Sequence, residues 1–235
     1  MTVLAVDTSA KAASVCLASE EKIIGEFFID TALTHSQTLM PMLEQLAENT
    51  GVRISEVDAI AVNAGPGSFT GVRIGVAAVK GLAFANGVPC VAVSTLESMA
   101  YNFLGTDCVV CAAMDARCSQ VYNALFRVSG SRAERLCGDR ALALSDLRRE
   151  LEQYDEPVML AGDGAALCAG AFGESLANVR LAPMNRRIQT ASSVALAALE
   201  RVRNGGTLSA AELMPVYLRL PQAQRELNKR LGRET

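Results

Sequence analysis

Val3-Leu4-Ala5-Val6-Asp7, Ser14-Val15-Cys16-Leu17-Ala18 and Ile23-Ile24-Gly25-Glu26-Phe27-Phe28-Ile29 follow one another at the start of the chain. Each is short and apolar, with the β-branched and aromatic side chains that suit strands. A turn of small residues joins the first two, and Ser19-Glu20-Glu21-Lys22 joins the second pair. Joints this short permit only antiparallel pairing, because a parallel return needs a crossover of about a dozen residues. The opening therefore reads as a three-stranded antiparallel meander.

Beyond Ile29 the period changes. Leu39, Met40, Met42, Leu43 and Leu46 recur at helical spacing. Thr34 can cap that helix, and Gln37 completes a capping box. Pro41 predicts a kink, and Asn49-Thr50-Gly51 an end. The strand Ala59-Ile60-Ala61-Val62 feeds Gly65-Pro66-Gly67-Ser68-Phe69-Thr70-Gly71 and a helix over 70–85, stopped by Asn86-Gly87. Cys90-Val91-Ala92-Val93 is the next strand. The order β-β-β-α-β-α-β resembles the ribonuclease-H-like unit of the actin, Hsp70 and sugar-kinase superfamily.

The second half repeats this start. A strand over 109–114 ends in Asp115 as the first ends in Asp7, and the segment 120–126 mirrors the hairpin partner. Arg135-Leu136-Cys137 reads as a third strand, 145–154 as a helix capped by Ser145, 158–161 as a strand, 165–172 as a helix and 179–181 as a last strand. The echo predicts an internal duplication. A helix over 190–203 and a short helix opened by Ser209 follow, then a basic tail from Arg219, read as a solvated end. The expected division is an actin-like unit over 1–104, a second over 105–188, and C-terminal helices and tail over 189–235 packing back on the first unit.

The 235 residues are half hydrophobic, enough for a sizeable core. A net charge of −3 and a pI near 5.4 exclude a surface that is basic all over, as a nucleic-acid binder would carry. No basic stretch precedes a long apolar run at the N-terminus, so no signal peptide is expected. No uncharged apolar run reaches ~18 residues, so no membrane helix is expected either. Seven cysteines scattered through apolar segments read as reduced thiols of a cytoplasmic protein. Cys108 and Cys111 form a C-x-x-C, but on a strand side chains three apart point to opposite faces and cannot share one ion.

Few residues offer chemistry. The loop Gly65 to Gly71 opens a helix, where backbone N–H groups can hold an anion, yet neither G-x-x-x-x-G-K-[ST] nor G-x-G-x-x-G is present; a tight turn explains it as well. In the superfamily, the corner Asp7-Thr8-Ser9 faces nucleotide phosphate, and a glycine-rich adenosine loop falls at Gly162-Asp163-Gly164. Here Asp163 interrupts the glycines, and its carboxylate would repel phosphate. His35 is the only histidine, so a histidine-pair metal site is excluded. Any catalytic triad would have to use it, and its place at a helix start argues for a capping-region role. Helix 70–85 stands out. Val72, Val76, Val79 and Ala83 share one face; Ile74, Ala78, Gly81, Leu82 and Ala85 share another; Arg73 and Lys80 leave only a narrow polar stripe. A helix apolar on two faces needs two apolar surroundings, inside the fold or on another protein.

Together, Val3-Leu4-Ala5-Val6-Asp7-Thr8-Ser9, Thr34-His35-Ser36-Gln37-Thr38-Leu39-Met40-Pro41, the segment Gly65 to Gly75, Met114-Asp115-Ala116-Arg117 and Pro215-Val216-Tyr217-Leu218-Arg219 resemble the TsaB (YeaZ) family. The resemblance covers nearly the whole chain. It implies a non-catalytic paralogue of TsaD, the subunit that transfers threonylcarbamoyl from its adenylate to N6 of adenosine 37 in tRNAs reading codons that begin with A. It implies TsaD and the ATPase TsaE as partners, a homodimer when alone, and tRNA contact through the complex. TsaD's histidine-pair metal site has no counterpart here beyond His35. The chain itself is expected to need no cofactor, with room for vestigial ATP or ADP at Asp7, Thr8, Ser9, Gly162 and Gly164. Docking is expected through the first two helices, at Met40, Leu43, Val72, Arg73, Val76, Val79, Lys80 and Ala83, although the wheel leaves open which apolar face points outward. The alternatives are a small-molecule kinase of the same superfamily, against which the broken glycine loop counts; a peptidase, for which no ligand set or nucleophile–base pair is visible; and a plain tRNA binder, which the acidic balance opposes.

Overall fold

The computed structural model describes residues 1–173 and 176–219. In the first sheet, β1 (Thr2–Asp7), β2 (Ala13–Ser19) and β3 (Ile23–Ile29) pair antiparallel. After α1 (His35–Thr50), β4 (Ala59–Gly65) lies parallel to β1; after α2 (Phe69–Asn86), β5 (Cys90–Ser94) lies parallel to β4. A short helix, α3 (Thr95–Tyr101), leads to the second sheet. There β6 (Cys108–Asp115), β7 (Gln120–Ser129) and β8 (Arg132–Arg135) are antiparallel, and β9 (Arg140–Ala143) pairs with the start of β7. Then come α4 (Leu144–Leu151), β10 (Val158–Ala161), α5 (Ala165–Phe172), β11 (Val179–Leu181), α6 (Met184–Arg187) and α7 (Ala191–Arg203). The strand orders are β3-β2-β1-β4-β5 and β8-β7-β6-β10-β11, the same path twice. The molecule is thus a doubled ribonuclease-H-like α/β unit, as the echo of Asp7 in Asp115 predicts.

Alternation along the strands sets the layers. Leu4 and Val6 of β1 face α1 and α2, together with Val15, Ile60 and Val62. Val3 and Ala5 face α7 on the opposite side. The inner face of the second sheet, with Cys108, Val110, Ala112 and Met114, packs on α3. The outer face, with Val109, Cys111 and Ala113, packs on α4 and α5. The two cysteines of the C-x-x-C therefore lie on opposite faces of β6, in different cores. The order is helices, sheet, helices, sheet, helices, with α3 and α7 between the sheets.

Helix ends follow their local chemistry. At α1, Gln37 Oε1 accepts from the Thr34 N–H at 3.1 Å. At α2, Ser68 Oγ accepts from the Gly71 N–H, and Gly87 closes the far end in the left-handed region at φ 66°. Pro41 sits inside α1.

Three expectations fail. The third strand of the second unit is Arg132–Arg135, not 135–137: Leu136 N–H still bonds the Leu125 carbonyl, but the chain then turns toward β9. Ser145 does not cap α4, which starts one residue earlier behind Ala143 and has no side-chain cap. Ser209 opens a single turn rather than a helix: Glu212 folds back on the Ser209 N–H and hydroxyl, and the chain runs on without regular structure. That stretch is a strap. Leu208 bridges to Cys90, Leu213 is fully buried against the core of the first unit, and the Val216 N–H bonds the Ala64 carbonyl at the end of β4. The basic tail expected beyond Arg219 lies outside the described residues.

Candidate functional site: a packed corner, a cleft and an open helix face

A cavity of about 640 Å³ lies where β1 and β6 run out, lined by Ser9, His35, Gly67, Asp115, Asp163 and Tyr217 among others. The corner Asp7-Thr8-Ser9 borders it but is closed off, all three residues being fully buried. The start of α2 presses directly onto this corner. A Cβ at Gly67 would overlap the Ser9 carbonyl, one at Gly71 the Thr8 carbonyl, and one at Gly75 the Thr8 hydroxyl. The Thr8 hydroxyl donates to the Gly71 carbonyl at 2.8 Å, and the Ser68 N–H donates to the Ser9 carbonyl at 2.7 Å. Glycines at 67, 71 and 75 thus serve contact between α2 and the corner. His35 belongs to the same junction, its Nε2–H donating to the Ala10 carbonyl at 2.8 Å.

The second unit offers a parallel corner. Asp115 Oδ1 accepts from the Arg117 N–H at 2.7 Å, and Asp163 Oδ1 accepts from the Asp115 N–H at 3.3 Å. Gly162 and Gly164 lie against the backbone of β6, where a Cβ would strike Ala113 or Met114. Both glycines have a packing reason that needs no ligand. Among the described residues, no group of three or more His, Cys, Asp or Glu side chains could hold a metal ion.

The two apolar faces of α2 meet different surroundings. Val72, Val76, Val79 and Ala83 are buried on the sheet with Leu43 of α1. Ala77, Gly81, Phe84 and Ala85 are exposed, Phe84 at 85%. Both cations of α2 are taken by the strap. Lys80 Nζ donates to the carbonyls of Leu213 at 2.9 Å and Ala211 at 3.2 Å. Arg73 Nε donates to the Tyr217 hydroxyl at 2.7 Å, while its guanidinium lies 3.8 Å above the Phe69 ring. Ala77, Gly81, Phe84 and Ala85 themselves carry no charge, and Arg73 and Lys80 flank them.

A family model described as TsaD, tRNA N6-adenosine threonylcarbamoyltransferase, matches residues 29–227. The tRNA threonylcarbamoyladenosine biosynthesis protein TsaB of Bacillus subtilis is 35% identical over 167 residues, 71% of this chain and 73% of that one. The chain belongs to the TsaB family. TsaB of Escherichia coli is 37% identical over 124 residues, 52% of this chain and 53% of its own. Among solved structures, YeaZ from Pseudomonas aeruginosa matches with a TM-score of 0.79 and 31% identity, covering 92% of this chain and 99% of that one. The ethanolamine utilization protein EutJ of Carboxydothermus hydrogenoformans, at TM-score 0.52 and 12% identity over 83% of this chain and 89% of that one, shares the fold alone.

The TsaB reading of the docking residues needs correction. Val72, Val76, Val79 and Ala83 are core side chains because α2 turns that face onto β1 and β4, and Leu43 is one because α1 packs on β2 and β3. They cannot present a surface to a partner. Arg73 and Lys80 fasten the strap, and Met40 is half exposed on α1. The helical wheel had already grouped Gly81 and Ala85 on the other face. Phe84 went unread although the same wheel sets it beside Gly81 and Ala85, whereas Asn63, Gln189 and Tyr217 went unread because each acquires its setting only from long-range contacts.

Proposed function

We propose that this chain is the non-catalytic partner of TsaD, docking through the outer face of α2 and the exposed edge of α1, with TsaE joining the pair. In this reading the complex transfers threonylcarbamoyl from threonylcarbamoyl-adenylate to N6 of adenosine 37 in tRNAs reading codons that begin with A. The chain meets tRNA through the complex, works in the cytoplasm and, without TsaD, pairs with itself through the same face.

The observation that carries this is the stripe Ala77, Gly81, Phe84, Ala85. Small residues let another helix approach closely, and an exposed phenylalanine beside them supplies an anchor of the kind that dominates interfaces. An apolar, solvent-facing stripe on a helix marks an interaction surface. The catalytic part falls to TsaD in this proposal because the corner Asp7-Thr8-Ser9 is filled by the chain's own helix. Vestigial ATP or ADP, if taken at all, would have to sit in the cavity beyond that corner; a shift in melting temperature with ATP would reveal it.

Purified TsaD, TsaE, the enzyme that makes threonylcarbamoyl-adenylate and unmodified tRNA should yield modified adenosine only when this chain is added. Mass spectrometry of digested tRNA reads the result. Equal modification without the chain would refute the proposal. Product formed by the chain alone would refute its non-catalytic part.

A further inference from the structure

We propose that Asp7 is a neutral, protonated acid in the folded protein, its Oδ2 carrying the proton within a buried cluster of acceptor oxygens beneath the start of α2. The argument is an accounting of donors. Asp7 Oδ1 accepts from the Ser9 hydroxyl at 2.7 Å, Asn63 Nδ2 at 2.8 Å and the Ser9 N–H at 3.2 Å. Gln189 Nε2 reaches the Ser9 hydroxyl at 3.5 Å. The four side chains form one connected chain, each at most 1% exposed. Three of its oxygens, Asp7 Oδ2, Asn63 Oδ1 and Gln189 Oε1, are buried with no donor among the described residues. Flipping Asn63 would only turn its oxygen onto the carboxyl.

An ionised carboxylate here would add charge to a site crowded with acceptors, and among the described residues it forms no ion pair. A buried carboxyl in that position takes up a proton instead. One proton on Oδ2 removes the buried charge and adds a donor to a cluster that is short of donors. The surroundings agree. β2 faces the corner with Ser14, β4 with Asn63, α2 with Gly71 and Gly75, and the segment before α7 with Gln189. The titratable group that acts on Asp7 is His35 of α1, whose positive form would favour the carboxylate. Burial is the largest influence and pushes the Asp7 carboxyl up, above the opposing pull of Ser9, Asn63 and His35.

The sign of the pH dependence follows. A group that holds its proton more tightly when folded stabilises the protein fully below its unfolded pKa, and that contribution is lost as pH rises through the folded value. The start of α2 rests on this corner, so the proton is part of what seats the helix.

The direct test is carbon-13 NMR of the intact protein labelled at aspartate carboxyls, with the Asp7 signal assigned by its loss in Asp7→Asn. The expected result is a signal that stays at the protonated position at pH values where exposed aspartates have ionised. A signal that titrates with those aspartates overturns the proposal, whether a water or a cation then meets the orphaned oxygens. An infrared carbonyl stretch of a protonated carboxyl gives the same answer on the wild-type protein, and a spectrum without that stretch at neutral pH overturns it, should the variant fail to fold. Asp7→Asn, which carries a donor permanently, should melt about 2–4 °C higher than wild type at pH 8 and lose the decline with pH. A lower melting temperature at every pH overturns it.

Discussion

Arg117, Cys118 and Ser119 hold φ at 66°, 55° and 56°, three non-glycine residues in succession in the left-handed region. Each costs about 1–2 kcal/mol relative to the right-handed basin. The hairpin between β6 and β7 offsets this with bonds around the tip. Arg117 N–H reaches Asp115, Gln120 N–H reaches the Arg117 carbonyl at 3.2 Å, and Leu144 N–H reaches the Ser119 carbonyl at 3.2 Å. Ser119→Gly keeps the Ser119 carbonyl and removes the Cβ penalty. It should raise stability by about 1 kcal/mol, read as a higher urea midpoint at unchanged slope. Nothing in the local sequence signals this turn, because no glycine or asparagine marks it. The long bonds to α4 and from Arg219 to the Ala116 carbonyl impose it.

α2 separates two kinds of glycine. At Gly75 a Cβ would meet the Thr8 hydroxyl, whereas at Gly81 it would meet nothing within 4 Å. Gly75→Ala should destabilise by about 1–3 kcal/mol through forced displacement of the Asp7-Thr8-Ser9 corner. Gly81→Ala should stabilise by about 1 kcal/mol through helix propensity. Thermal melts of the two variants should therefore move in opposite directions. The same division corrects an inference from the helical wheel alone. Val76 is 3% exposed, so Val76→Glu buries a charge and should abolish the folded circular dichroism spectrum rather than selectively weaken docking. Ala85→Glu places the charge on the open stripe; it should leave the spectrum intact and remove TsaD from a pull-down. Retained TsaD binding would exclude that stripe as the interface. Helix existence, length and double apolarity were legible in the spacing of Val72, Val76 and Val79. Which face lies inward was not, since two faces of similar hydropathy compete and only the sheet, with Val62 beneath Gly75, decides.

At the scale of the molecule, the repeated strand path could be anticipated from Asp7 and Asp115, because an apolar strand ending in Asp before a hairpin partner is a local pattern. How the two units are fastened together was illegible, for the fastening joins residues far apart in the chain. Glu97 of α3 accepts from Arg135 of β8 at 3.0 Å and from Arg201 of α7 at 2.5 Å. Arg135 also pairs with Asp139, which accepts from the Ser94 hydroxyl at the end of β5. Arg201 adds a bond to the Ala92 carbonyl. One carboxylate thus joins the second sheet to both helices that lie between the sheets. Glu97→Gln keeps the shape and removes the charge. It should cost about 2 kcal/mol for a partly shielded network, less at high salt, as measured by urea unfolding at two ionic strengths.

The seven thiols differ in accessibility. Cys16, Cys90, Cys108, Cys111 and Cys168 are buried, Cys137 is partly covered, and Cys118 stands exposed at the hairpin tip. Burial also pushes the Cys168 thiol up to about 12 and holds Cys16 and Cys111 well above the ordinary thiol range, which leaves them few thiolates to react. A maleimide dye added to the unmodified protein should therefore settle on Cys118 first. That places a fluorophore, with no engineering, beside Arg117 at the rim of the cleft, where a docked subunit or an entering small molecule would change its emission.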